Sequence, residues 1–214
     1  AYLLWQEGLG YSSIFLVAGV LALLALIPFY RVRESYQAHG CEIKLRLSDL
    51  SPDLFRFLVI ACLFAFGNFS YMFFILRANE MFSGAEAVAA PLLLYALFNF
   101  IYAVMAMPAG IWSDRIGRKN VLATGYALFA LTALGFAFVR SLTGLIALFC
   151  LYGMVYALVD GSERAYVSDL SGSGHRGSAL GIYSGAQGMA AIASSLVAGA
   201  LWAWQGASAT FLFG

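Results

Sequence analysis

Charge is scarce in this sequence. Asp, Glu, Lys and Arg together make up 11% of the 214 residues, whereas 62% are hydrophobic. A soluble domain usually carries roughly 25% charged residues, so these few charges could not cover a water-exposed surface. The formal net charge is only +1, which gives a nucleic-acid partner no electrostatic support. The composition therefore favours a membrane protein with the lipid bilayer around it.

Cysteine and histidine are also rare. Cys41, Cys62 and Cys150 are far apart and form no C-x-x-C motif, and two of them lie inside apolar stretches where cysteine behaves as a small hydrophobe. His39 and His175 are isolated and lack the spacing of metal ligands. No Ser, His and Asp arrangement suggests a catalytic centre. We therefore expect no metal, no cofactor and no enzymatic activity.

Long apolar runs are what the sequence has in abundance. A transmembrane helix needs about 20 apolar residues. About six runs approach that length, at roughly 12–30, 54–76, 88–112, 121–139, 142–165 and 178–203. They are too long and too rich in alanine and leucine for strands, and backbone groups in lipid must be satisfied within the segment. The sequence thus predicts an all-α integral membrane protein, a polytopic bundle of about six transmembrane helices.

The basic residues indicate how these helices are oriented. Lys and Arg accumulate in alternate connections: Arg31, Arg33, Lys44 and Arg46 after the first run, Arg115, Arg118 and Lys119 after the third, and Arg164 and Arg176 after the fifth. The other connections contain Arg77 and Arg140. Because cation-rich loops stay on the cytoplasmic side, we expect residues 31–52, 113–120 and 169–177 to be cytoplasmic.

A charged turn separates the third and fourth runs. Its residues 110–119 follow the pattern G-x-x-x-D-R-x-G-R-K. The preference for cytoplasmic cations explains the basic residues but neither Asp114 nor the fixed glycines. Gly110 would let two helices approach closely, and Gly117 would permit a tight turn. Asp114 could accept hydrogen bonds at the N-terminus of a neighbouring helix.

This turn resembles the loop signature of the major facilitator superfamily, usually written G-x-x-x-D-R-x-G-R-[RK]. The matching residues are Gly110, Asp114, Arg115, Gly117, Arg118 and Lys119. In that family the signature lies between helices 2 and 3, and often again between helices 8 and 9. The resemblance implies half of a twelve-helix transporter fold, in which the signature loop helps to latch the cytoplasmic side in one conformation.

Six runs with a long basic loop after the first fit the second copy of the signature best. On this interpretation residues 1–30 are the end of helix 5 and helix 6 of an N-terminal half. Residues 31–52 are the cytoplasmic loop between the two halves, and residues 53–214 are helices 7–11 and the start of helix 12. The missing N-terminal half of the same transporter would then be the partner of this chain.

The fifth run carries a polar face near its end. Tyr152, Tyr156, Asp160 and Glu163 follow i, i+4, i+8 and i+11 spacing, which is one side of a helix. Charges inside a membrane are costly and often functional, so this face should point into the bundle. In a first interpretation, Asp160 or Glu163 binds a proton or the substrate.

A second interpretation, favoured by the position near the cytoplasmic end, is a charge network with the signature turn. The network would contain Asp160, Glu163, Arg164 and Asp169. Its expected ion pairs join Asp114 to Arg164, and Arg118 to either Glu163 or Asp169.

Candidate cavity residues follow from the resemblance. In the family, helices 7, 8, 10 and 11 line the central cavity, which corresponds here to runs two, three, five and six. Their polar residues include Asn68, Tyr71, Tyr95, Asn99, Tyr152, Tyr156, Tyr183 and Gln187. The alternative for each is a hydrogen bond between helices without substrate contact. A lining that is aromatic and weakly charged would suit an amphipathic or uncharged substrate.

The resemblance thus implies secondary active transport of a small solute by alternating access, driven by an ion gradient such as that of protons. We expect the protein to be an integral protein of a cell membrane, namely the bacterial inner membrane. The alternatives are a six-span structural or receptor-type protein and a membrane-embedded enzyme.

Overall fold

The computed structural model describes residues 11–24, 26–29, 50–84, 86–172 and 175–214. The chain divides into two compact units, Ala1–Glu42 and Ile43–Gly214. In the first unit the described residues form helices α1 (Tyr11–Leu24) and α2 (Leu26–Phe29). The parts of the predicted organisation that fall on residues 1–10 and 30–49 lie outside the described residues.

The described part of the second unit is a helical bundle. Its helices are α3 (Pro52–Gly67), α4 (Met72–Asn79), α5 (Glu86–Ile116), α6 (Arg118–Phe138), α7 (Leu142–Leu170), α8 (Arg176–Gln205) and α9 (Ala207–Phe213). Five helical segments are long and apolar enough to cross a membrane, namely Pro52–Asn79, which includes α3 and α4, and each of α5 to α8. They correspond to the last five predicted runs, and an all-α polytopic membrane bundle is confirmed.

The starts of two spans are capped by serine. The Ser51 Oγ atom accepts a hydrogen bond from the backbone N–H of Leu54 at 3.3 Å at the start of α3. The Ser141 Oγ atom accepts one from the N–H of Gly144 at 3.2 Å at the start of α7. Because the first N–H groups of a helix lack partners within it, these caps help to fix where each span begins.

One span is broken. Helix α3 ends at Gly67 and α4 begins at Met72, so residues 68–71 interrupt a run that looks continuous in the sequence. The Ser70 Oγ atom accepts a hydrogen bond at 3.3 Å from the backbone N–H of Met72, the first residue of α4. Non-helical backbone at membrane depth is tolerated where it is buried in protein or lines a cavity. Asn68, in the break, does line the cavity described below.

Helix α7 packs between α5 and α6 and is held close to α5. A Cβ atom added to Gly153 would lie 2.7 Å from the carbonyl oxygen of Phe98, so glycine is what permits this approach. The bundle also contains fully buried aromatic rings, among them those of Phe74, Phe136, Phe149, Tyr152 and Phe211. The position of α7, which carries the polar face, is therefore set by close packing.

Candidate functional site

A polar cavity of about 310 Å³ lies between α3, α7 and α8. It is lined by Phe64, Asn68, Val155, Tyr156, Val159, Asp160, Glu163, Arg164, Tyr183, Ser184 and Gln187. This volume falls at the lower end of small-molecule sites, which are roughly 300–1,000 Å³. Two carboxyl groups and a guanidinium within membrane-length helices are energetically expensive, which marks the cavity as the candidate functional site.

Glu163 lies at the centre of this site and is only 4% exposed. Its Oε1 atom accepts a hydrogen bond from the Tyr126 hydroxyl at 2.5 Å. Its Oε2 atom accepts from the Tyr183 hydroxyl and from Nε2 of Gln187, the latter at 3.0 Å. An ionised carboxylate only accepts hydrogen bonds, so this donor set matches the charged form. The contacts also join α7 to α6 and α8.

Asp160 and Arg164 form a pair beside Glu163, one turn apart on α7. The Arg164 Nη2 atom lies 3.0 Å from Asp160 Oδ1, and the Tyr102 hydroxyl donates to Asp160 Oδ2 at 2.9 Å. The positive charge of Arg164 is thereby balanced by a carboxylate of the same helix. Glu163, in contrast, has no Lys, Arg or His nitrogen within 4.0 Å among the residues that the structure describes.

The signature turn lies apart from this cavity. Gly117 has φ +92° between α5 and α6, a backbone conformation that favours glycine. Arg118 follows it, and its Nε atom lies 2.7 Å from Asp169 Oδ2. Its Nη2 atom lies 3.5 Å from Asp114 Oδ1. The turn and the end of α7 are therefore joined through one guanidinium.

Of the two ion pairs expected near this turn, one is wrong and the other is found. Asp114 contacts Arg118 rather than Arg164, because Arg164 is bound by Asp160 one turn away on the same helix. Glu163 is not a partner of Arg118, because its carboxylate is taken up by the donors from α6 and α8. Of the two partners proposed for Arg118, the structure has Asp169.

The surroundings of Gly110 also differ from the expected close contact between two helices. A Cβ atom added there would meet no atom within 4 Å among the described residues, so the predicted close helix approach is not made at this position. Gly110 instead lines a depression of about 260 Å³ between α5 and α7, together with Ser113, Asp114 and Gly161. Arg115 and Lys119 are exposed.

Four of the predicted cavity residues do line the cavity: Asn68, Tyr156, Tyr183 and Gln187. Asn68 adds an unusual feature, because its Oδ1 atom is buried without a hydrogen-bond partner among the described residues. Two more predicted residues stack beside the broken span, where the ring centroids of Tyr71 and Tyr95 are 5.2 Å apart.

Like Tyr71 and Tyr95, the predicted residues Asn99 and Tyr152 do not line the cavity. The Asn99 amide donates to the carbonyl oxygen of Tyr95 at 2.8 Å, within its own helix, and Asn99 is exposed. Tyr152 is fully buried, with its ring 4.1 Å from that of Phe74. The ring of Tyr152 packs against α4 and α5, and its hydroxyl donates to that of Tyr156 on the same helix at 3.4 Å, so Tyr152 does not make the hydrogen bond between helices that was the alternative.

Sequence reasoning missed Tyr126, Phe64 and Ser184. Tyr126 lies on α6, the run that the family arrangement assigns to the outside of the bundle, yet its hydroxyl reaches Glu163. The ring of Tyr126 stacks on that of Phe64, with 4.0 Å between the ring centroids. No spacing along the chain signals this contact, because it joins residues 37 positions apart.

These features define a polytopic membrane protein with a polar cavity of solute size between its helices. The sequence model described as Major Facilitator Superfamily matches residues 57–214. Over 209 residues the chain is 42% identical to an uncharacterized MFS-type transporter of Methanocaldococcus jannaschii, covering 95% of this chain and 52% of that protein. The chain belongs to the major facilitator superfamily.

This membership supports a role in membrane transport and points to a transporter rather than an enzyme. The chain spans about half the length of the curated relative it matches. No solved structure matches the chain significantly.

Proposed function

We propose that the protein carries a small solute across the cell membrane by alternating access and that a proton gradient drives it. In this proposal residues 1–30 end the N-terminal half, residues 31–52 link the two halves, and residues 53–214 form the C-terminal bundle. The observation that carries the proposal is the cavity between α3, α7 and α8, which holds a buried carboxyl group within membrane-length helices.

Glu163 is the proposed coupling carboxyl group. Proton coupling needs a group that exchanges a proton while its surroundings change, and a cavity carboxyl can do this. The charge of Asp160 is already balanced by Arg164. Among the described residues, the charge of Glu163 is balanced by hydrogen-bond donors without a cationic partner. Protonation would thus have its largest effect at Glu163, because the donor set there fits the ionised form.

The signature turn is the proposed conformational latch. The contact of Arg118 with Asp169 joins the turn to the end of α7 at 2.7 Å. A contact made in one state of the cytoplasmic side and broken in the other shifts the balance between the two states. The latch therefore needs no contact with the solute.

Transport assays on the natural full-length protein test this proposal. The protein is reconstituted in liposomes with a pH-sensitive dye inside, and a panel of cationic, neutral and anionic solutes is added under an imposed pH gradient. We expect at least one solute to produce solute-dependent proton movement, and Glu163→Gln to reduce it by about tenfold or more.

The matched control is Glu80→Gln, which removes a carboxylate that pairs with Arg77 away from the cavity. This variant should retain the proton movement of the natural protein. Full solute-dependent proton movement in Glu163→Gln would show that coupling occurs elsewhere in the protein.

A further inference from the structure

We infer that the cavity takes a small organic cation: an amine that is protonated, carries at least one N–H group and bears an aromatic or aliphatic body. This inference rests on the proposed function, because it names the class of solute for the same site. It narrows the amphipathic or uncharged solute that the sequence suggested to a cationic amphipathic one, since two carboxyl groups line the cavity.

The charge balance of the cavity favours a cation. Asp160, Glu163 and Arg164 line the same space. Arg164 is paired with Asp160 at 3.0 Å, and its side chain is 67% exposed, so it is poorly placed to hold an anion inside. Glu163 is buried and lacks a cationic partner among the described residues. Because charges attract more strongly in a low dielectric than in water, a bound ammonium group would supply that partner.

The aromatic groups favour an organic cation over a bare inorganic ion. The Tyr156 ring lines the cavity, with ring centroids 5.3 Å from Phe98 and 6.1 Å from Tyr102. Aromatic faces attract ammonium groups, and the side chains of Phe64 and Val159 add apolar surface for a hydrocarbon body. Divalent inorganic cations are usually held by several charged oxygen ligands, whereas this lining has two carboxyl groups, one of which is paired with Arg164.

The Asn68 side chain favours an N–H donor. Its Oδ1 atom is buried in the cavity wall without a hydrogen-bond partner among the described residues. A buried acceptor without a partner is unfavourable, and a ligand donor can satisfy it. A protonated primary or secondary amine carries N–H groups that can donate to amide and carboxylate oxygens. A quaternary ammonium ion carries the same charge but cannot donate.

Four probes with the same phenylethyl body and different head groups test the charge and the N–H donor: 2-phenylethylammonium, its N,N,N-trimethyl derivative, neutral 2-phenylethanol and anionic 3-phenylpropanoate. Equilibrium binding of radiolabelled 2-phenylethylammonium is measured on the natural full-length protein in nanodiscs, without a gradient. The other three serve as competitors. We expect 2-phenylethylammonium to bind at least about tenfold more tightly than 2-phenylethanol, the trimethyl derivative to be intermediate, and 3-phenylpropanoate not to compete. Equal competition by the alcohol, or stronger competition by the carboxylate, would overturn the inference.

Variants locate the binding. Glu163→Gln should weaken 2-phenylethylammonium binding by about tenfold or more, whereas Glu80→Gln should leave it unchanged. Tyr156→Leu should weaken binding more than Tyr156→Phe, because only leucine removes the ring face. The tyrosine pair keeps the test valid if Glu163→Gln fails to fold, which size-exclusion chromatography and thermal unfolding reveal. Unchanged binding in folded Glu163→Gln, or equal losses in the two Tyr156 variants, contradicts the assignment.

The binding assay is independent of the transport assay. Binding of the ammonium probe without any solute-dependent proton movement would support the organic cation and refute the proposed transport. Proton movement coupled only to neutral or anionic solutes, without ammonium binding, would refute the organic cation and leave the proposed function intact.

Discussion

Glu163 and Asp169 lie six positions apart on α7, yet they occupy opposite environments. Glu163 is 4% exposed and accepts hydrogen bonds from two tyrosines and a glutamine. The Asp169 side chain is 52% exposed and pairs with Arg118. Exposed ion pairs contribute at most about 1 kcal/mol to stability, whereas an abandoned buried donor costs about 1–3 kcal/mol. The same helix therefore carries one carboxylate that is buried among three donors and another whose exposed ion pair contributes little to stability.

The largest effect on stability should come from removing the buried carboxylate of Glu163. Glu163→Ala removes the acceptor for Tyr126, Tyr183 and Gln187. We expect the free energy of unfolding to fall by about 2–3 kcal/mol, measured by denaturant unfolding in detergent. Glu163→Gln, which keeps one acceptor oxygen, should cost less. A loss below about 1 kcal/mol in the alanine variant would mean that Glu163 is no better fixed than an exposed carboxylate.

The packing that holds α7 in place should be the next most sensitive feature. Gly153→Ala would place a Cβ atom 2.7 Å from the Phe98 carbonyl oxygen. Because the obstacle is backbone, we expect a loss of about 1–3 kcal/mol in thermal unfolding experiments. Gly161→Ala on the same helix is the control, since its Cβ atom would meet nothing within 4 Å among the described residues. Equal stability of the two variants would show that α5 and α7 can separate at little cost.

The two glycines of the signature turn, Gly117 and Gly110, should respond differently to substitution by alanine. Gly117→Ala should lower the free energy of unfolding by about 1–2 kcal/mol, because φ +92° is strained for a residue with a side chain. Gly110→Ala should be neutral or slightly stabilising by the same measurement, because alanine favours helix and the site is open. Strong destabilisation by Gly110→Ala would reveal a segment packed there that the structure does not describe.

The smallest effects should come from the exposed carboxylates. Asp169→Asn removes the contact at 2.7 Å and should cost about 0.5–1 kcal/mol. Asp114→Asn removes the contact at 3.5 Å and should cost less than about 0.5 kcal/mol. Both losses should shrink when the unfolding experiment is repeated at high salt, because salt screens exposed charges. A larger loss for Asp114→Asn would reverse the order that the distances give.

The helical architecture could be predicted from the sequence because apolar length is a local property. The runs at 88–112, 121–139, 142–165 and 178–203 each fall on one long helix. The polar face of α7 could also be predicted, since i, i+4 spacing puts Tyr156 and Asp160 on one side of any helix. The break at residues 68–71 could not, because Asn68 and Ser70 are isolated polar residues in a run that is apolar on both sides.

The partners of Glu163 were beyond prediction for a different reason. Tyr126 and Tyr183 lie 37 and 20 positions away, on helices whose rotation about their own axes decides which side chains meet. A sequence gives the residue types on each helix but not this rotation. Attraction between opposite charges therefore suggested Arg118 as the partner of Glu163, whereas packing brought two hydroxyl groups to it.

Helix α7 runs from Leu142 to Leu170 without interruption, in contrast to the broken span of α3 and α4. Glu163 and Asp169 are thus separated by about 9 Å along a single rod, at 1.5 Å per residue. A rigid helix that tilts moves both carboxylates unless it pivots at one of them. In the proposed mechanism, a tilt of α7 about any other point changes the cavity around Glu163 and also moves Asp169 relative to Arg118, so one continuous helix couples the cavity to the signature turn.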